Sequence, residues 1–373
     1  MQRNPAIDIL RGVLLLLMTM SHLPTVWSAS LGEPLGFISA AEGFVFLSAF
    51  LAGKLFQVRQ EREGPRAATR WMLGRALQLY LLHLALLVLA FTVVAWIGTT
   101  FERPAVRNLL DFYFQAPGTA VVSSAMLFYE PPLLDILPMY VLFLLCTPLV
   151  MRIASRWGWR WVLAPSALLW VAARFGLRAL VYSYLHGVAG SEMPSTGGSF
   201  DLFAWQLLWV LGLWFGALGF GRTREAIASG GGLLTVALAV SFAMFAWRHY
   251  SGPMGFSDMP HHLFWIDKWT LSPVRIINFA ALLCVGIGFG KNLAQRVRMP
   301  PLEAIGRASQ WVFVAHIASA LLLLCLVGRD DQPLGGARGL LVVLAGYLVL
   351  FITAAVHQSV RRMRKAQMSA VRS

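Results

Sequence analysis

The chain has 373 residues, of which 58% are hydrophobic and only 13% charged, and its mean hydropathy is +0.65. A soluble domain carries about 25% charged residues, so a soluble enzyme, a disordered protein and a nucleic-acid-binding module are all excluded. The formal net charge of +14 then calls for a membrane explanation.

Apolar stretches of about 20 residues, the length that crosses a bilayer as a helix, recur from end to end. They lie at roughly 7–27, 35–57, 71–98, 133–151, 159–180, 202–221, 231–249, 273–291, 308–328 and 339–358. The chain therefore reads as one all-α polytopic membrane domain over 1–373 with about ten transmembrane helices. It carries no internal repeat or low-complexity segment. The first stretch is broken by Asp8 and Arg11 and is followed by no small-residue cleavage site, so it reads as a retained helix rather than a signal. Cys146, Cys284 and Cys325 all fall inside apolar stretches. They form neither a disulfide framework nor a metal-ligand spacing and read as packing residues.

Lysine and arginine set the orientation, because cytoplasmic loops carry the basic excess. With the N-terminus inside, 21 of the 31 basic residues fall on the inner side, nine on the outer side and Arg11 within the first span. Both termini are expected to be cytoplasmic. The long loops, 99–132, 181–201 and 250–272, then face outward and are rich in Gly, Pro, Ser and aromatic residues. The inner loops are short and basic.

Ionisable groups inside a bilayer are costly and point to function. On the first helix Arg11 and His22 are eleven residues apart, about three full turns, so they share a face and are separated by roughly 17 Å of rise. Asp8 and Arg11, at i and i+3, are spaced to pair. This face offers a long anionic donor a cation at the inner boundary and an imidazole deep in the outer half. On spacing alone, a snorkelling Arg11 and a His22 bonded to a neighbouring helix fit equally well. Glu42, on the second helix, sits at a depth similar to that of His22 and is expected to orient the imidazole as a general base. Arg75 opens the third helix as a second phosphate contact, or as a plain topology signal. Tyr80 and His83 follow it deeper in. Near outward helix ends stand Asp135, then Trp205 and Gln206, then Lys268, Arg275 and Asn278, with His316 in mid-span. Carboxylate, amide and indole groups at an outer mouth suit a sugar, whereas the tryptophans alone read as an interfacial belt.

These same residues carry a family resemblance. Asp8, Arg11-x10-His22 and Glu42-Gly-Phe-Val-Phe-Leu-Ser48 resemble the start of the membrane-bound acyltransferase-3 superfamily. Arg75-Ala-Leu-Gln-Leu-Tyr-Leu-Leu-His83, Asp135-Ile-Leu-Pro-Met-Tyr140, Trp205-Gln-Leu-Leu-Trp209, Leu271-Ser-Pro-Val-Arg-Ile-Ile-Asn278 and Phe313-Val-Ala-His316 look like its OpgC group. The likeness runs in order over nearly the whole chain. One departure is Ala49, where the family's Leu-Ser-Gly pattern has glycine.

The resemblance implies a bacterial inner-membrane O-acyltransferase without a permanently bound cofactor or metal. Acyl-CoA, as succinyl-CoA or acetyl-CoA, is the implied cytoplasmic donor, and a periplasmic glucan or other extracytoplasmic polysaccharide the acceptor. On this reading Arg11, Asp8, Arg75, Tyr80 and His83 serve the donor, and His22 with Glu42 the chemistry. Asp135, Trp205, Gln206, Lys268, Arg275, Asn278 and His316 are then candidates for the acceptor or the oxyanion. Oligomeric state, acyl group and target hydroxyl stay open. A transporter or flippase of a sugar is the rival reading, since it too buries ionisable groups near the midplane, but the chain shows no inverted repeat.

Overall fold

In the computed structural model the described residues are 5–189, 198–219, 221, 224, 225, 227, 231–250, 264–296, 298–328 and 332–370. Among them the regular structure is helical, and one isolated bridge joins Thr25 to Leu334. Every one of the ten expected stretches contains a helix. We label them α1 (Pro5–His22), α2 (Ser28–Leu31), α3 (Ala40–Glu63), α4 (Pro65–Leu89), α5 (Ala95–Thr100), α6 (Pro104–Leu109), α7 (Asp111–Gln115), α8 (Pro117–Ala125) and α9 (Ile136–Trp157). There follow α10 (Arg160–Arg174), α11 (Leu177–Ala189), α12 (Leu202–Leu218), α13 (Gly231–Tyr250), α14 (Pro273–Arg296), α15 (Pro300–Arg307), α16 (Ser309–Leu324) and α17 (Gly336–Ala370).

Length and hydropathy qualify seven helices as spans among the described residues, and nine if two bent pairs each cross once. The fifth expected span is one of these pairs: α10 and the start of α11 meet at 79°. Gly176, at φ +86°, stands at the corner, and a glycine adopts that left-handed backbone without strain. The other pair is α15 with α16, bent by 88°. Helix α12, at 17 residues, is about 26 Å long and slightly short of the hydrocarbon core. A composition window sees apolar content but neither corners nor exact length.

Helix α4 continues into α5 through a π-helical turn at Ala90–Val94. Tyr113 donates to the Phe91 carbonyl in that turn at 2.8 Å, which helps satisfy a backbone whose ladder is irregular. Contacts at the helix ends show the alternation. The ends bearing Asp8, Glu63, Trp157 and Arg307 lie at one end of the bundle. Those bearing His22, Ser39, Asp135, Asp201 and Lys268 lie at the other.

The outer surface of the bundle is apolar, with Phe242 72% exposed and Leu168 70%. Such a surface is covered by lipid rather than water. Inside, helices meet through small residues, as bilayer helices must when backbones approach closely. A Cβ at Gly212 would stand 2.5 Å from the Ala49 Cβ, and one at Gly53 would stand 2.6 Å from the Leu213 carbonyl oxygen. The departure at Ala49 is thus met by glycine on the facing helix. Two turns earlier on the same helix, Trp205 is fully buried and donates to the Trp269 carbonyl at 3.0 Å.

Candidate active site

At the His22 end a small pocket is lined by Met18, Ser21, His22, Ser39, Asp135 and Lys268, among others. Three helix ends build it. Helix α1 brings His22 in its last turn, α3 brings its first residues, and Asp135 precedes α9. Leu133, also in the lining, holds φ +69°, a left-handed backbone that costs a branched residue strain and that clusters at functional sites.

His22 is tied to His316 of α16: its Nδ1 lies 3.1 Å from His316 Nε2. His316 is fully buried, and its Nδ1 lies 2.6 Å from the Phe313 carbonyl oxygen. Phe313 stacks on Phe44 at 5.3 Å and meets the His316 ring edge-on at 4.9 Å. The Arg11 guanidinium lies 5.9 Å from the Phe44 ring centre. A column of rings therefore runs from the cation of α1 to its imidazole.

Glu42 has a different place from the one expected. Its Oε2 accepts from the Ser39 backbone N–H at 3.1 Å and from the Ser39 hydroxyl at 2.6 Å, completing a capping box at the start of α3. Its Oε1 accepts from Arg275 Nε at 2.8 Å and lies 2.7 Å from Nη2. The side chain bonded to His22 is thus His316, whereas Glu42 fastens Ser39, which lines the pocket, to Arg275. The similar level of His22 and the start of α3 along the bundle was readable from the sequence, but direction around the helix axis decides partners.

Arg275 is only 1% exposed and spends its remaining edge on Glu33, 2.7 Å from Nη1. Glu33 also pairs with Arg248 at 3.0 Å. Burial alone would raise the Glu33 pKa, but the two guanidiniums outweigh it and hold the carboxyl below its ordinary value. Arg275 is thus engaged by two protein carboxylates. Lys268 is the cation in the pocket lining, set over the Trp269 ring at 5.1 Å. Asn278 is anchored on one side: its Oδ1 accepts from the Phe37 N–H at 2.8 Å.

Helix α4 shows the same division. Arg75 donates to Gln310 at 3.1 Å, and its guanidinium and that of Arg59 flank Trp71 at 5.7 and 5.0 Å. With Arg307, 3.6 Å from Asp8, these arginines make one end of the bundle basic. The Asp8 carboxylate expected beside Arg11 thus has Arg307 as an ion-pair partner, supplied by α15. Tyr80 and His83 both find partners on α8. Tyr80 donates to the Ala125 carbonyl at 3.0 Å and His83 meets the Ser124 carbonyl at 3.3 Å, so both fasten the last turn of α8. Gln206 is likewise occupied, exchanging hydrogen bonds with Ser166 of α10 at 2.7 Å each.

A model of the OpgC protein family matches residues 3–362. The chain belongs to the OpgC family. Comparison with curated proteins and with solved structures gives no match. OpgC membership implies a transferase.

One buried carboxylate near the pocket residue Asp135 was not singled out in the sequence. Glu130, only 8% exposed, lies beside Asp135 near Gly198. Burial first, and the neighbouring Asp135 second, push its carboxyl well above the ordinary carboxylate range, with Arg178 opposing. The only signal for it was an acidic residue followed by two prolines in an outer loop.

Proposed function

We propose that this OpgC chain is an acyltransferase-3-type enzyme of the bacterial inner membrane. It moves an acyl group from cytoplasmic acyl-CoA to a hydroxyl of a periplasmic glucan. The observation that carries this is the two-ended design of α1. A basic end bearing Arg11, Arg75, Arg59 and Arg307 is separated from a His22-lined pocket by roughly 17 Å of helix. Guanidinium groups suit the phosphates of a long anionic donor. The imidazole at the far end suits proton removal from a hydroxyl.

In this reading His22 takes the proton of a glucan hydroxyl, and the oxygen attacks the thioester carbonyl. The carbon–sulfur bond breaks, and the departing thiolate regains a proton from His22. Ester and free CoA thiol are the products, so atoms and charge balance. In this reading Asp135, in the pocket lining, accepts hydrogen bonds from sugar hydroxyls.

The test is thiol release by the purified protein with acetyl-CoA or succinyl-CoA, with and without periplasmic glucan. Glucan-dependent release that His22→Ala abolishes, with a raised KM for acyl-CoA in Arg75→Ala, is expected. Wild-type glucan acylation by a well-folded His22→Ala protein would overturn the reading. Solute uptake by proteoliposomes without acyl-CoA would favour a transporter instead.

A further inference from the structure

The His22–His316 contact has a direction that the distances themselves determine. The two ring planes differ by 14° and their centres are 5.3 Å apart. That separation exceeds the 3.1 Å N···N distance by about one ring width, so the imidazoles meet edge to edge in a common plane. This is the alignment in which a ring N–H points along the lone pair of the other ring. At the far end stands the Phe313 carbonyl, which can only accept. His316 Nδ1, 2.6 Å away, therefore carries a hydrogen, and in the neutral ring Nε2 carries the lone pair. His22 Nδ1 must then be the donor to His316, which leaves His22 Nε2 with a lone pair on the ring that lines the pocket.

We propose that His316 is a positioning residue that holds His22 in the Nδ1–H tautomer, so that Nε2 is the base of the transfer reaction. This deepens the proposed function and rests on it. The logic is that of any catalytic imidazole whose second nitrogen is bonded to a fixed acceptor. The acceptor here is a neutral histidine rather than a carboxylate, itself fixed by a backbone carbonyl one turn away on the same helix. When His22 Nε2 takes the hydroxyl proton, the imidazolium keeps its Nδ1–H bond to His316 Nε2. That proton then leaves from Nε2 to the thiolate, so His316 ends the cycle unchanged. His316 needs no contact with either substrate. Its burial, and its edge-on packing against Phe313, hold the ring in place.

The experiment compares His316→Leu, His316→Gln and His22→Ala in glucan acylation, with acyl-CoA binding as the check that each protein is folded. Leucine removes the acceptor, whereas the glutamine carboxamide oxygen offers one at similar reach. We expect His316→Leu to lower kcat by roughly 10²-fold, within the range of a general-base contribution, with KM for acyl-CoA unchanged. His316→Gln should recover most of the loss. Nitrogen-15 spectra of ring-labelled wild-type protein should show His22 protonated at Nδ1 and bare at Nε2, a readout that stands even if His316→Leu fails to fold. Wild-type kcat in His316→Leu, no recovery in His316→Gln, or the opposite His22 tautomer would overturn the proposal alone. Full activity in His22→Ala would overturn the proposed function and this inference together.

Discussion

Replacing Arg275 by alanine tests how the pocket wall is held. Arg275 is 1% exposed, Glu42 is fully buried, and three nitrogen–oxygen distances of 2.7–2.8 Å join Arg275 to Glu42 and Glu33. Alanine leaves Glu42 a buried charge with only its Ser39 bonds, while Glu33 keeps Arg248. Breaking one partner out of a buried pair costs about 3–5 kcal/mol. The control is Arg59→Ala. Its partner Glu63 is 3.4 Å away, and both side chains are 39% or more exposed, so the loss is about 0.3–0.5 kcal/mol. The assay is unfolding of the detergent-solubilised protein, followed by heat and by denaturing detergent. Adding Glu42→Gln to Arg275→Met should restore part of the stability lost by Arg275→Met, because less charge is then stranded. If Arg275→Ala destabilises no more than Arg59→Ala, or if the double variant shows no coupling, the ion network does not hold the wall.

Glu33 supplies a pH test with a definite sign. Its folded pKa lies below the ordinary 4.5, so its contribution to stability is complete above that value and is lost as the pH falls through the lower folded one. Glu33→Gln should flatten the acid limb of an unfolding-versus-pH curve. Glu130 has the opposite sign, since its folded pKa is raised by burial: its contribution is present below its unfolded value and lost as the pH rises. Glu130→Gln should therefore be as stable as the parent at mildly acid pH and more stable in alkali, read from the same curve. Between α3 and α12, Gly212→Val should separate the helices, because even a Cβ at Gly212 would press on Ala49 and the Phe46 carbonyl. Overpacking of this kind typically costs about 1–3 kcal/mol, visible as loss of the monodisperse peak on size-exclusion chromatography. Ala49→Gly in the same background should return part of it.

The sequence by itself determined that this is an all-α membrane protein, where its helices lie and which residues deserve suspicion. Hydropathy is a local, one-dimensional property, and a helix leaves its backbone no partner outside the segment. Ring and charge at i and i+11 are equally local, which is why the shared face of Arg11 and His22 was legible. Partner choice was not. Glu42 was expected to serve His22 and His316 the acceptor or the oxyanion, and only the rotation of α3 and α16 about their axes sends Glu42 to Arg275 and brings His316 within 3.1 Å of His22. Tyr80 and His83 lie on α4 beside Arg75, but the approach of α8, some forty residues later, turns them to structural use. The corner between α15 and α16 likewise depends on where α15 packs, with the Asp8 carbonyl pressed against Gly306. Depth and helicity are carried by composition along the chain. Which buried polar group satisfies which is decided between chain segments, because a desolvated group takes whatever partner packing brings within reach.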